Sequence, residues 1–213
     1  MTFDSLLHKI PEIKSVNLLG MEAQQLMVPA ERRPYLLVED FVDRNPRYSA
    51  VMMLLYPKGN DTSLLLIERS NGGGVHAGQV GFPGGKYEQE DQTLEVTALR
   101  ETGEEVGIDA EEIEVLKAFT QVYIPPSNFI VQPYLGIMDS TPNLYLSEHE
   151  VASVIEMPLS TLLDDNIVKE VGLQTSYANY INVPAYVFND FTIWGATAMM
   201  LSELKETLKE VFK

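Results

Sequence analysis

No cysteine occurs in the 213 residues, which excludes disulfides, thiolate catalysis and zinc–thiolate sites. No apolar run approaches the ~20 residues that a membrane-spanning helix needs. Basic residues are scarce: Lys and Arg number 15 against 31 Asp and Glu, a net charge of −16, and they form no cluster larger than Arg32-Arg33. A broad basic surface for nucleic acid is thereby excluded. The single Trp and nine Met form no stripe suited to a cofactor, so Trp194 reads as core. Internal repeats, low-complexity tracts and convincing linkers are also absent. The opening MTFDSLLHKIPEIK has no basic segment followed by an apolar stretch and a small-residue cleavage site, so the expected location is the cytoplasm. With 45% apolar residues and a mean hydropathy of −0.05, the chain is expected to be a soluble globular domain covering 1–213, with 1–45 as an N-terminal extension packed on the core.

What is present is concentrated in the stretch from Gly84 to Ile108, GGKYEQEDQTLEVTALRETGEEVGI. Between Gln92 and Val106 the only Gly or Pro is Gly103, so the spacing predicts a helix with Asp91 as N-cap and Gly107 just past its end. At about 100° per residue, Leu94, Ala98, Thr102 and Val106 share one face, Thr97, Glu101, Glu104 and Glu105 gather along its edge, and Arg100 lies next to Glu104. Glu101 and Glu105 stand at i and i+4 and project together. Two carboxylates about 6 Å apart repel by roughly 3 kcal/mol at an effective dielectric near 20. A hard divalent cation between them would turn that repulsion into a binding site, and Mg²⁺ favours carboxylate, water and phosphate oxygens. The alternative for an isolated E-x-x-E-E is a solvated acidic helix edge. The acidic excess and the metal reading fit together, because a negative protein acting on an anionic substrate must reverse its field locally.

Along the chain, Phe3 to Ile10 and Gly20 to Met27 are weak amphipathic segments. Ala50 to Tyr56 and Ser63 to Ile67 are short apolar runs around the turn cluster Pro57 to Asp61, a buried β-hairpin signal. Further strands are expected near Glu114 to Gln121, Ile130 to Met138, Val183 to Phe188 and Asp190 to Trp194. A strand ends near Pro158, where a short helix begins with Ser160, and a last helix runs from about Gly195 to Phe212. Strands before and after a central helix, with a terminal helix to cover them, give an α/β fold with a mixed sheet between helical layers.

The string Gly85, then Arg100-Glu101-Thr102-Gly103-Glu104-Glu105-Val106-Gly107-Ile108, resembles the Nudix box, G-x5-E-x7-R-E-U-x-E-E-x-G-U, where U is apolar. Gly85 lies one residue further from Arg100 than the usual pattern, Gln92 stands in place of the first Glu, and Thr102 fills an apolar position. Upstream, Leu65-Leu66-Ile67-Glu68-Arg69-Ser70, Gly78 and Phe82-Pro83-Gly84-Gly85 resemble the signature of the coenzyme A pyrophosphatase branch, in which the longer spacing is familiar. Segments Tyr123-Ile124-Pro125, Ser127-Asn128-Phe129, Glu150-Val151-Ala152, Pro158-Leu159 and Ile193 to Ala198 extend the likeness over most of the chain. One departure is Gly74, within Asn71-Gly72-Gly73-Gly74, where that branch has an Arg suited to phosphate.

The resemblance implies a Nudix-type α/β/α sandwich that hydrolyses a pyrophosphate bridge in a nucleoside diphosphate linked to another moiety, with coenzyme A or a derivative as leading substrate. It implies that Glu101 and Glu105 hold Mg²⁺ or Mn²⁺ directly and that Glu104 completes the site directly or through water. Arg100 orients these side chains, and Glu150 is the first choice for general base. On the substrate side, Arg69 is a candidate for phosphate or for a strand-end salt bridge, and His76 and Gln79 are candidates for the nucleotide. Gly84 and Gly85 are expected to offer backbone N–H groups, and Phe82 to fix the turn from the core. The expected partner is a small nucleotide substrate rather than nucleic acid or membrane, and a homodimer stays open. Two other readings are a hydrolase of ADP-ribose or another nucleoside diphosphate, favoured by Gly74, and a Nudix-fold binding module without turnover, which would be free to lose the carboxylates present here.

Overall fold

The computed structural model describes residues 1–29, 44–72, 76–175 and 178–213. The basic pair Arg32-Arg33 and the substituted position Gly74 lie outside the described residues.

Near the N-terminus, α1 (Phe3–Leu7), α2 (Ile10–Ser15) and α3 (Met21–Gln24) are short helices whose apolar positions Phe3, Leu6, Ile13 and Ala23 are buried. There follow β1 (Arg47–Lys58), β2 (Asp61–Arg69), β3 (Val80–Gly81), β4 (Gly84–Lys86), the central helix α4 (Leu94–Val106), β5 (Glu114–Ala118), β6 (Val122–Ile124), β7 (Phe129–Ile137), β8 (Val151–Pro158) and α5 (Leu159–Leu163). The chain finishes with β9 (Val168–Thr175), β10 (Ala178–Phe188), β11 (Phe191–Ile193) and α6 (Gly195–Val211).

Strand β1 organises the main sheet. It pairs antiparallel with β2 and β4 and parallel with β7, from Arg47 opposite Phe129 to Leu55 opposite Ile137, which makes the sheet mixed. The path runs β3-β2-β1-β7-β5, with β4 also on β1, β6 on β7 and β8 on β2. Side chains alternate between the two faces, as a period of two requires. Ala50, Met52, Leu54 and Tyr56 pack with Leu65, Ile67 and residues Ala98 and Val106 of α4. Met53 and Leu55 pack on the other side with Leu64, Leu66, the N-terminal Phe3, Leu6 and Ile13, and Leu201, Leu204 and Leu208 of α6. The result is the expected α/β/α arrangement with a mixed sheet.

Some elements differ from expectation. The central helix begins at Leu94, not Gln92, with Thr93 as N-cap; its Oγ1 accepts from the Val96 N–H at 3.2 Å. Gln92 has φ +62° and cannot lie in a right-handed helix, and the Asp91 carboxylate is occupied elsewhere. The helix ends as expected at Gly107, φ +76°. The hairpin turn is tighter than Pro57 to Asp61: Lys58 pairs with Asp61, leaving Gly59-Asn60 as the loop. Strands β9, β10 and β11 form a separate three-stranded sheet. Its strand β9 gives no apolar alternation in sequence, because Lys169, Glu170 and Gly172 are exposed and Val168 and Val171 only half-buried. Trp194 is half-buried at the start of α6 and lines a cavity, which corrects the core assignment, whereas Phe82 is buried as expected.

The N-terminal segment is fastened to α6 by a buried carboxylate. Glu203 accepts from the Gly20 N–H at 3.1 Å, Gln24 Nε2 at 2.9 Å and Thr120 Oγ1 at 2.6 Å. These donors offset the desolvation of a fully buried Glu and fix where Met27 and Val28 lie.

Candidate active site

Three carboxylates converge at one end of α4. Glu101 and Glu105 project from successive turns of the helix, and Glu150 stands just before β8; one oxygen from each lies within 4.8 Å of the others. Glu150 arrives there because β8 pairs with β2 up to Val151 opposite Arg69, and the Ser70 N–H donates to the Glu150 carbonyl at 2.8 Å. Glu105 is fully buried, accepting from the Gly84 N–H at 2.8 Å and from Arg69 Nη1 at 3.3 Å.

The glycine pair permits this closeness. A Cβ on Gly85 would lie 2.4 Å from the Glu101 carboxylate, and one on Gly84, at φ +151°, would lie 2.3 Å from the Ala50 carbonyl oxygen. Both residues belong to β4, paired with Ala50 and Val51. Gly84 therefore does not aim its N–H outward at a phosphate: Glu105 has taken it.

Arg100 holds the helix edge in place. Its Nε and Nη2 donate to the two Asp91 oxygens at 2.7 and 3.0 Å, Nη1 donates to Glu104 at 2.9 Å, and Nη2 lies 3.0 Å from Glu101 Oε1. Asp91 is buried and also accepts from Thr97 Oγ1 at 2.8 Å; the Arg100 guanidinium holds its carboxyl well below the usual carboxylate range. Sequence reasoning missed this role for Asp91, taking it as an N-cap. The signal was available, since an arginine that orients the helix edge needs a carboxylate to hold it and Gln92 supplies none. The structure does not bring Glu104 to the other three carboxylates. One residue before Glu105 it is turned about 100° around the helix, and its exposed side chain is held by Arg100.

Burial pushes the Glu105 carboxyl up to about 7, against the opposing pull of the Gly84 N–H and Arg69. Burial also raises Glu101, with Arg100 acting in the other direction. Oxygen donors this close, one of them withdrawn from water, suit a hard divalent cation. Because Glu105 in the folded chain binds its proton more tightly than the ordinary 4.5, its protonated form contributes stability that is complete below that value. The contribution, roughly 3 kcal/mol, is lost as pH rises through about 7. In chelator, the melting temperature of the wild type should therefore fall from about pH 5 to about pH 8 more steeply than that of Glu105→Gln. Parallel slopes would place the titration elsewhere. Asp91, whose carboxyl Arg100 holds far below the usual range, does not titrate in this window.

A profile of the NUDIX domain matches residues 46–173, more than half of the chain and all three converging carboxylates. The chain belongs to the Nudix family. It is 32% identical over 165 residues to an uncharacterized Nudix hydrolase, NudL, of Photorhabdus laumondii, covering 78% of this chain and 87% of that relative. It is 30% identical over 207 residues to Nudix hydrolase 3 of Caenorhabditis elegans, covering 87% and 82%. Among solved structures it is similar in fold to RenU, a Nudix hydrolase from M. smegmatis, with a TM-score of 0.54 at 16% identity over 78% of this chain and 87% of that one. The NUDIX domain of Shewanella oneidensis NrtR, solved with ADP ribose, gives 0.51 at 19% identity over 84% and 97%. The chain is thus a Nudix hydrolase, of a family of metal-dependent pyrophosphohydrolases that act on small nucleotide-derived substrates.

Two adjoining cavities open beside the carboxylates of this Nudix chain. The larger, about 640 Å³, is walled largely by apolar side chains, among them Met27, Val28, Ile124, Val183, Trp194 and Met200. The smaller, about 450 Å³, has charged and hydroxyl side chains at its edge, with Ser49, Lys86, Ser127, His149 and Glu150 along it. Arg69, His76 and Gly84 line both and mark their shared boundary. His76 Nδ1 lies 3.0 Å from Gln79 Oε1, which sets the two side chains as one unit at the edge of the larger cavity. Among the described residues, no helix is long and apolar enough to cross a membrane.

Proposed function

We propose that the chain hydrolyses the pyrophosphate bridge of coenzyme A or a derivative, giving 3′,5′-ADP and 4′-phosphopantetheine, in the cytoplasm. The observation that carries this reading is the position of the carboxylate group, next to the boundary between a cavity edged by charged and hydroxyl side chains and one walled mainly by aliphatic and aromatic ones. That arrangement suits a substrate with an anionic centre and two chemically unlike halves. The motif residues Arg69 and Phe82 to Gly85, which the coenzyme A branch resembles, lie on or beside that boundary.

Glu101 and Glu105 would hold Mg²⁺ or Mn²⁺ directly, and Glu104, on the solvent side of Arg100, would join through water. When bound, the ion supplies positive charge to the bridging phosphates and Lewis acidity at the attacked centre. Arg100 keeps Glu101 aimed at the group through its grip on Asp91. Glu150 is the exposed member of the three and the one free to take a proton from the attacking water. Arg69 uses one N–H on Glu105 and has others of its five for phosphate oxygens. His76 and Gln79 would meet the nucleotide or the arm attached to it.

The second reading, ADP-ribose as substrate, is supported by Gly74 in place of the branch arginine. A panel of coenzyme A, ADP-ribose and dinucleoside polyphosphates with Mg²⁺ and with Mn²⁺, products identified by mass, separates them. Coenzyme A should turn over fastest. A preference for ADP-ribose would replace the first reading with the second. If no diphosphate turns over while a nucleotide ligand raises the melting temperature, the chain is a binding module.

A further inference from the structure

The chain carries twice as many acidic as basic residues, 31 against 15, and its cations are mostly committed. Lys9, Lys14, Lys58, Arg69, Arg100, Lys205, Lys209 and Lys213 each face a carboxylate. Lys86 does not: among the described residues its ammonium has neither an ion pair nor a hydrogen-bond partner, and its side chain lines the smaller cavity. Its backbone is nevertheless fixed, by pairing with Ser49 across β1 and β4 and by the Arg100 Nη2–H that donates to its carbonyl at 3.1 Å. Lys169 is likewise unpaired but lies on β9, away from both cavities.

The same cavity has two further uncommitted groups. Ser127 Oγ and His76 Nε2 are buried and without a hydrogen-bond partner, although buried polar atoms are nearly always paired. The Ser127 turn is held by Arg47, which donates to the Ser127 carbonyl at 2.9 Å and lies 4.1 Å over the Phe129 ring, adding a second positive charge behind the cavity wall. Among the described residues, the only Lys or Arg lining the larger cavity is Arg69, already on Glu105.

We infer that the smaller cavity is a subsite for a phosphate monoester on the nucleotide half of the substrate, held by Lys86 with the Ser127 hydroxyl and the His76 imidazole. The inference rests on the reading that a nucleotide-linked pyrophosphate is cleaved at the adjacent carboxylates. It deepens that reading by naming what is recognised. A monoester brings three acceptor oxygens, which an ammonium, a hydroxyl and an imidazole can meet from different directions. A ribose phosphate then becomes the mark by which the enzyme separates otherwise equal nucleotides. Coenzyme A carries one and ADP-ribose does not.

The test is binding, not turnover. Adenosine 3′,5′-bisphosphate and 5′-AMP are titrated calorimetrically into the full chain in Mg²⁺ buffer, with wild type, Lys86→Met, Lys86→Arg and Ser127→Ala. The bisphosphate should bind wild type about tenfold tighter than AMP, the scale of one charge-assisted hydrogen bond. Lys86→Met should remove that advantage and leave AMP unchanged, Lys86→Arg should keep it, and Ser127→Ala should lose part of it. Equal affinities in wild type, no measurable binding of either ligand, or an equal loss for both in Lys86→Met would overturn the subsite. Neither ligand contains a pyrophosphate bridge, so failure to hydrolyse coenzyme A would count against the proposed reaction without deciding this comparison.

Discussion

Glu105→Gln should lose about a thousandfold or more in turnover, equivalent to ~4 kcal/mol of transition-state stabilisation, while the fold stays intact. The amide matches the carboxylate in shape, and its oxygen still accepts the Gly84 N–H. What disappears is one negative charge from a group of three carboxylates within 4.8 Å. Loss of that charge should weaken Mn²⁺ binding, followed by electron paramagnetic resonance, in parallel with activity. At neutral pH in chelator the variant should melt no lower than wild type, because a buried charge and its repulsion are gone. Wild-type turnover in this variant would sink the site. A large drop in melting temperature would instead make Glu105 a structural partner of Arg69.

Glu150→Gln tests the other end of the group. Its backbone is anchored, with its N–H on the Ser147 carbonyl and its own carbonyl on the Ser70 N–H, and its exposed side chain supports no packing. If Glu150 takes the proton from water, kcat should fall by about a hundredfold to ten-thousandfold with KM little changed. Mn²⁺ affinity, measured alongside, should stay near that of wild type. A loss of affinity as large as that in Glu105→Gln would make Glu150 a metal ligand in place of a base. Unchanged turnover would remove it from the chemistry.

The converging carboxylates were more legible in the sequence than their supports. Helical spacing alone places Glu101 and Glu105 together, and the string Arg100 to Ile108 carries the family likeness. Glu150, 45 residues beyond Glu105 in the chain, was found through the branch resemblance, because no periodicity links a strand-start residue to a helix. The Asp91 pairing was hidden by the single-residue shift in the loop, where Gln92 takes φ +62° and so turns Asp91 toward Arg100. The short strands β3, β4 and β6 have two or three residues each, too few for alternation to register. Gly84 and Gly85 looked like an anion turn, yet the Glu101 carboxylate fills the space beside Gly85, and Ala50 and Val51 fill that beside Gly84, whose N–H goes to Glu105.

The Glu203 fastening bears on how such an enzyme diversifies. Residues 46–173 match the family profile and hold Arg69, Arg100, Glu101, Glu105 and Glu150, whereas Met27, Val28, Ile181, Val183, Trp194 and Met200 of the larger cavity lie in the flanks on either side. Because Glu203 ties Gly20 and Gln24 to α6, the N-terminal flank and the last helix are joined as one wall. The cavity wall is therefore separable from the charged segment in the contacts it makes. The inner segment is constrained by every contact among its charged groups, while exchange of an aliphatic side chain in the wall redraws the cavity without disturbing a single carboxylate.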